Sequence, residues 1–257
     1  MIIALGLGLV FVLSAAISTS ESDKQQEWIS LFNGQDLDDW VIKIKGHKAG
    51  VNHLNTFRVE EGILKVNYEN YKNFDQTFGH IFYKTSFKDY RLKFNYRFTG
   101  EQVPGGPGWA TRNSGVMVHS QDPYTMELDQ DFPVSLEVQL LGGLKEGESR
   151  PTGNLCTPGT HVIMNGKLIK DHCIQSSSAT YYGDQWVEAE VIVKNNKILT
   201  HLINGQEVIS YVQPIIGGEF NSLESKEGQA LSEGYIAFQS ESHPVEFKDI
   251  KLLVLDE

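Results

Sequence analysis

The feature that most constrains the fold is a perfect alternation of apolar and polar residues in the segment Arg91 to Phe98, RLKFNYRF. Its apolar residues would share one face of an extended chain: Leu92, Phe94, Tyr96 and Phe98. A period of two is that of a β-strand, in which successive side chains point to opposite faces. The segment is therefore predicted to be a strand with one face buried in the core and the other exposed to solvent.

Turn signals recur at short intervals along the chain. Asn165-Gly166 lies between strand-like residues and is the strongest short hairpin signal. Glu60-Glu61-Gly62 separates two further strand-like segments, Phe57 to Val59 and Ile63 to Val66. A three-strand meander is predicted from Trp186 to Lys194, Ile198 to Ile203 and Val208 to Val212.

Helical patterns are poor, since no stretch of a dozen residues keeps a 3.6-residue apolar period. Many short strands at regular spacing predict an all-β chain: a jelly-roll sandwich of two antiparallel sheets. Two segments are predicted to be long loops, Glu101 to Thr111 and Gln213 to Gln229. Long loops inside a domain usually carry function or are mobile.

The N-terminal residues indicate the compartment. Met1 to Ile17 is apolar or small throughout and is followed by a polar stretch, Ser18 to Gln26. This pattern predicts a signal peptide over residues 1–18 and a secreted or periplasmic protein. Because no Lys or Arg precedes the apolar run, an uncleaved N-terminal membrane anchor is the alternative. Residues 27–257 are predicted to form a single β domain.

Charge and cysteine content narrow the partners. The formal net charge of −11 argues against nucleic acid as a partner, because an acidic surface repels phosphate. The chain contains two cysteines, Cys156 and Cys173. In an oxidising compartment such a pair predicts a disulfide. The nearby His161 and His172 leave a zinc site as an alternative, although the spacing matches no standard zinc finger.

Three segments place polar side chains beside strand-like apolar residues. Glu137 and Gln139 would share one face of a strand, as in sheets that line sugar clefts, although an ordinary wet face gives the same pattern. One of the other two segments begins at Arg112, and the other runs from Gly234 to Pro244 and includes His243. Their candidate ligand-binding residues, together with a possible stacking platform, are Arg112, Asn113, Ser114, Gln239, Glu241 and Trp109.

An ordered series of motifs resembles the 3-keto-disaccharide hydrolase-like domain family. The series includes Trp28 to Trp40 (WISLFNGQDLDDW), Asn113 to Val116 (NSGV), Leu136 to Gln139 (LEVQ) and His201 to Gly205 (HLING). The resemblance implies a concanavalin-like sandwich acting on glycosides oxidised at the sugar 3-position. It also implies a cleft lined by Glu137, Gln139, Asn113, Ser114, Gln239 and His243. Related sequences often carry Asp-His-Gly where this chain has Ser240-Glu241-Ser242.

The strand with Glu137 lacks a second carboxylate, because Gln139 and Leu141 follow it. This counts against double-displacement hydrolysis, which needs two carboxylates close together. A 3-keto sugar has an acidified C2 proton, so a single base could eliminate the leaving group before water adds. The hypothesis names Glu137 or His243 as the base. Asn113 and Gln239 are the hydrogen-bond donors to substrate oxygens. Arg112 is a candidate for polarising the ketone.

Other functions stay open at this stage. A non-catalytic carbohydrate-binding module would use the same cleft, since this fold serves lectins as well as enzymes. A structural cell-surface domain would have no affinity for sugar. No cofactor is predicted, although Glu137, Glu241 or His243 could hold a divalent metal. The expected partner is a carbohydrate or an oxidised glycoside.

Overall fold

The computed structural model describes residues 27–256, which form two antiparallel sheets. Strands are numbered in chain order. The ten-stranded sheet contains β1 (Ile29–Ser30), β3 (Phe57–Glu60), β4 (Ile63–Val66), β6 (Asp89–Phe98), β10 (Thr160–Met164), β11 (Lys167–Ile169), β13 (Val187–Lys194), β14 (Ile198–Ile203), β15 (Gln206–Ile216) and β17 (Val245–Val254). The seven-stranded sheet contains β2 (Trp40–Ile44), β5 (Gly79–Tyr83), β7 (Asn113–Ser120), β8 (Leu136–Leu141), β9 (Asn154–Cys156), β12 (Cys173–Ile174) and β16 (Tyr235–Ser240).

The order of strands shows how the chain crosses between the sheets. The ten-stranded sheet runs β11-β10-β15-β14-β13-β6-β17-β4-β3, with β1 paired to β17. The seven-stranded sheet runs β12-β9-β8-β7-β16-β5-β2, so most of its neighbours are not consecutive in the sequence. The predicted fold class, a sandwich of two antiparallel sheets, is confirmed.

The alternating strand predicted at Arg91–Phe98 forms all of β6 except its first two residues. Its apolar face is buried in the sandwich, where the Phe94 ring meets Phe238 of the opposite sheet edge-on at 5.3 Å between centroids. Such edge-to-face pairs add specific geometry to apolar burial. The polar face of β6 carries ion pairs on the outside of the ten-stranded sheet.

The predicted hairpins form as expected. β3 and β4 pair across the Glu61-Gly62 turn, and β10 and β11 pair across Asn165-Gly166. Both residues of this second turn have positive φ, 51° and 74°, which is why Asn-Gly suits it. The loop predicted to begin at Gln213 is wrong at its start. β15 continues to Ile216 because it pairs with β10 up to that residue.

The outer face of the seven-stranded sheet holds the polar candidates. Along β8, Leu136, Val138 and Leu140 enter the core, so Glu137 and Gln139 point the other way. The strand register sets Glu137 between Met117 of β7 and Cys156 of β9. It sets Gln139 between Gly115 and Asn154 in the same way.

The N-terminal prediction concerns residues outside the described part of the chain. The signal peptide over residues 1–18 and its alternative, an uncleaved anchor, therefore stay predictions. Across residues 27–256, no helix is long and apolar enough to cross a membrane.

Candidate functional site

A cavity of about 460 Å³ opens on the outer face of the seven-stranded sheet. Its polar lining comes from strands β7 and β8, from the segments before β9 and β12, and from the residue after β16: Asn113, Glu137, Gln139, Arg150, His172 and Glu241. Its apolar lining is Trp109, Phe132, Leu141, Cys156, Pro158, Cys173 and Phe220. A concave pocket with a few convergent polar groups is the usual form of a small-molecule site.

Glu137 is the central acid of this cavity. Only 6% of the residue is exposed, and burial raises the pKa of its carboxyl to about 8. A carboxyl group loses its hydration when buried, which favours the neutral form. The side chain lies over Gly115 of the neighbouring strand, where an added Cβ would come within 2.7 Å of Glu137 Cγ. The absence of a side chain at position 115 therefore makes room for the carboxyl.

Glu241 is the second acid of the cavity and follows β16 directly. Burial raises the pKa of its carboxyl well above the ordinary value, and the charge of nearby Glu137 raises it further. Its Oε2 is buried and has no hydrogen-bond partner within the described residues. The next residue is fixed, because the Ser242 amide donates to the Tyr68 hydroxyl at 2.8 Å. Two carboxyls with raised pKa values therefore share one cavity.

Amide side chains supply the neutral polar groups. Asn154 donates to Gln139 Oε1 at 3.0 Å, which fixes the Gln139 amide with its NH₂ group free to meet a ligand. Asn113 donates weakly to the Trp109 carbonyl at 3.5 Å. Its Oδ1 is buried without a partner in residues 27–256. Such buried unpaired atoms are costly, and a bound polar ligand would satisfy them.

Arg150 is a cavity residue that the sequence did not indicate. Its guanidinium donates to the Gly142 carbonyl at 2.6 Å and to the Arg112 carbonyl at 3.1 Å. These bonds fix a cation at the cavity wall. The residue lies in the polar stretch 145–150, which resembles any solvated loop. It precedes β9, and the pairing of β9 with β8 brings it to the same cavity as Glu137.

Three of the predicted binding residues lie outside the cavity lining. Ser114 faces the core, and its hydroxyl donates to the Gln239 carbonyl at 3.0 Å. Arg112 is turned away, with its guanidinium bonded to the Gly183 carbonyl and 5.5 Å from the Phe98 ring. Gln239 shares the outer face with Glu137 but lies completely buried beside His80, with neither amide atom paired among the described residues.

His243 is buried near the cavity without lining it. Its ring meets Phe98 at 5.7 Å between centroids. Burial lowers the pKa of its imidazole to about 4, and the cations Arg112 and Arg150 lower it further. The ring is therefore neutral at physiological pH. The structure thus brings Glu137, Gln139, Asn113, Glu241 and Trp109 together at the cavity and leaves Arg112, Ser114, Gln239 and His243 around it.

The predicted disulfide forms between Cys156 and Cys173, which also line the cavity. The two residues are direct partners in the register of β9 and β12. Their thiols are consequently not free to bind zinc, which removes the metal alternative for this pair. In the described part of the chain, no group of three or more His, Cys, Asp or Glu side chains could hold a metal ion.

The two stacked sheets and the acidic, aromatic cavity on one outer face define a protein of the galectin-like and concanavalin-like sandwich class. Residues 27–253 match the family model described as the 3-keto-alpha-glucoside-1,2-lyase-like domain, and the chain belongs to that family. The family indicated by the sequence motifs is thereby confirmed. The search of curated proteins found no match to the chain.

Solved structures show the same fold at low sequence identity. A Parabacteroides distasonis protein described as a candidate glycosyl hydrolase is 15% identical with a TM-score of 0.54, over 89% of this chain and all of that one. A Bacillus subtilis protein of unknown function with a galectin-like fold is 13% identical, with a TM-score of 0.56, over 89% of this chain and 94% of that one. The exoplasmic domain of VIP36, bound to Ca²⁺ and Man3GlcNAc, is 11% identical with a TM-score of 0.51, over 89% of each chain.

Proposed function

We propose that this chain cleaves glycosides that carry a ketone at the sugar 3-position, by elimination across C1 and C2 followed by addition of water. The observation that carries the proposal is the pair of buried carboxyls, Glu137 and Glu241, in one cavity. The family's description names a 1,2-lyase of 3-keto-glucosides, which is the same bond-breaking step.

The chemistry needs a base for the C2 proton. The neighbouring ketone acidifies that proton, so a carboxylate of raised pKa is strong enough to remove it. Glu137 suits this role because burial raises the pKa of its carboxyl to about 8. His243 was the other candidate base. It does not line the cavity, and burial depresses the pKa of its imidazole to about 4, so Glu137 is assigned the role.

The leaving oxygen needs a proton as the C1–O bond breaks. Glu241 suits this second role because burial and the charge of Glu137 both raise the pKa of its carboxyl. In the reactive form that the proposal requires, the pair holds one proton, with Glu137 ionised and Glu241 protonated. Proton removal at C2 forms an enolate, whose electrons expel the aglycone at C1 as Glu241 protonates the leaving oxygen. Water adds to the unsaturated sugar afterwards.

The developing enolate needs donors that are already in position. Arg150 replaces Arg112 as the candidate cation, since its guanidinium lines the cavity and is fixed by two carbonyls. Gln139 offers an NH₂ group held by Asn154, and Asn113 offers an unpaired oxygen to a sugar hydroxyl. Pre-organised donors at a developing charge commonly contribute the largest share of catalysis.

The proposal includes an extracytoplasmic setting. The Cys156–Cys173 disulfide is typical of proteins from an oxidising compartment, and the N-terminal pattern of the sequence favours secretion or a periplasmic place. The expected partner is an oxidised glycoside. No cofactor is proposed, since side chains alone supply each role above.

The test is a turnover assay on matched glucosides with and without the 3-keto group, with and without EDTA. Cleavage of the keto form alone, unaffected by EDTA, is the expected result. When the reaction is run in D₂O, deuterium should appear at C2 of the released sugar, because a deuteron from the solvent replaces the proton that Glu137 removes. Saturable sugar binding with no cleavage of either form would overturn the enzyme and favour a carbohydrate-binding module.

A further inference from the structure

Five rings form a continuous aromatic arch along one side of the cavity. Trp109 stacks on Phe78 at 5.9 Å between centroids, and Phe78 meets Phe132 at 5.2 Å. Phe132 meets Phe220 at 5.4 Å, and Phe220 meets His172 at 5.2 Å. The five come from separate loops and from the residue before β5, so the arch exists only in the folded chain.

Two exposed rings belong to this arch. Trp109 is 55% exposed and Phe220 is 46% exposed, yet both are backed by other rings and both line the cavity. Large exposed aromatic side chains that are held in place commonly mark binding sites. The Phe220 backbone has a φ of 62°, an uncommon conformation for a bulky residue.

The loop before Phe220 is tied to the sheet. The Gly159 amide donates to the Glu219 carbonyl at 2.6 Å, and the Gly217 amide donates to the Gly159 carbonyl at 2.9 Å. An added Cβ at Gly159 would lie 2.8 Å from Val134 and 3.1 Å from the Phe220 carbonyl. The ring is therefore presented to the cavity by packed backbone.

The cavity lining consists of two chemically different sets of side chains. The carboxyls, the amides and Arg150 serve the sugar ring, whose C2 must meet Glu137. The arch, together with Pro158 and the disulfide, offers only two side-chain donors, the His172 imidazole and the Trp109 indole N–H. A second sugar there would leave hydroxyl groups unpaired, which is costly on binding. A flat aromatic group has no such hydroxyl groups to leave unpaired, and it would gain contacts with the rings of the arch.

We propose that the arch is the leaving-group site and selects glycosides of phenols and related flat aromatic alcohols. This inference rests on the proposed function of the same cavity, with the sugar at the carboxyls and the aglycone at Phe220 and Trp109. Both rings are then specificity residues that contact the aglycone.

The test measures binding separately from turnover. The Glu137→Gln variant would be titrated calorimetrically with phenyl and methyl 3-keto-α-glucoside and with a 3-keto disaccharide of glucose. We expect the phenyl glycoside to bind about tenfold more tightly than either of the others, as ring contacts of this kind provide. Adding Phe220→Ala or Trp109→Ala should remove most of that preference, and Phe220→Tyr should retain it.

Tyr124→Ala is the matched control, because this exposed ring lies outside the cavity and its removal should leave the preference intact. Equal affinity for the phenyl and methyl glycosides, or an unchanged preference in both alanine variants, would overturn the aromatic site. Failure of the proposed function is a separate result: wild-type protein would bind the phenyl glycoside selectively and cleave none of the three.

Discussion

The outer faces of the two sheets both contain buried glutamates, but only those of the ten-stranded sheet are paired with cations within the described residues. On the ten-stranded sheet, Glu190 is 3% exposed and accepts from Arg91 Nε at 2.6 Å, with Lys93 at 3.3 Å. Glu246 is 7% exposed and pairs with Arg97 at 2.7 Å. On the seven-stranded sheet, Glu137 and Glu241 are equally buried without such a cation.

The difference separates a carboxylate held by ion pairs from the one proposed to act as a base. A buried carboxylate beside a cation stays charged and holds strands together, whereas an uncompensated one retains its proton and lowers stability when it ionises. Burial alone therefore identifies no site. The absence of a partner at a given burial is what distinguishes Glu137 from Glu190.

Replacement of the central acid should have the largest effect. We expect Glu137→Gln to lower kcat on a 3-keto-glucoside by about 10²–10⁴-fold, because the base for C2 is lost. Glu190→Gln, the control at similar burial, should change kcat by no more than about threefold, since it only breaks a distant ion pair. Steady-state kinetics on both variants would measure these changes. Equal losses of kcat would contradict the proposed difference between the two faces.

Replacement of the second acid should depend on the leaving group. Glu241→Gln should lower kcat by about 10²-fold on an alkyl 3-keto-glucoside, because an alkoxide leaves poorly without a proton. The loss should be much smaller on a nitrophenyl 3-keto-glucoside, whose leaving group is stable as an anion. Parallel measurements on the two substrates would show it. The same loss on both would assign Glu241 a role other than proton donor.

The pH dependence of the rate tests the raised pKa directly. Glu137 must be ionised to act, so kcat/KM should fall about tenfold for each pH unit below its pKa of about 8. Above that value the rate should level off until Glu241 begins to ionise. A profile that is already flat from pH 5 upward would mean that no such base limits the reaction.

Stability should move in opposite directions on the two faces. The folded-state pKa of Glu137 lies above its unfolded value, so its contribution to stability is fully present at low pH and is lost as pH rises through about 8. Glu137→Gln removes that loss and should raise the free energy of unfolding at pH 9 by about 1–3 kcal/mol, with little effect at pH 5.

Glu190→Gln should instead lower the free energy of unfolding by about 1–3 kcal/mol near neutral pH, because Arg91 loses its carboxylate partner and Lys93 keeps only Glu188. Denaturant titrations of the two variants at the stated pH values would measure these changes in the free energy of unfolding. Destabilisation by both substitutions would contradict the contrast between the faces.

Local patterns predicted most of the fold. The alternation in β6 and the Asn165-Gly166 turn depend on neighbouring residues, so the sequence contains them directly. The end of β15 was wrong because its last residues are strand only through pairing with β10. Polar residues such as Gln213 carry no local signal of such a partner.

The sequence predicts the residues of the candidate site only where they lie on a single strand. Glu137 and Gln139 share a face by the period of two, and this much follows from β8 alone. Arg150 and Phe220 come from polar loops, and their approach to Glu137 depends on strand order. The turning away of Arg112 and the inward side chain of Ser114 likewise depend on where β7 starts.

Gly115 offers a means of separating recognition from reaction. Its backbone needs no glycine-specific conformation, but a methyl group there would collide with the Glu137 carboxyl. Gly115→Ala would displace the base and leave the core-facing side of β7 unchanged, since this position lies on the outer face. We therefore expect this single methyl group to abolish the proposed cleavage while sugar binding is retained, which would separate the two.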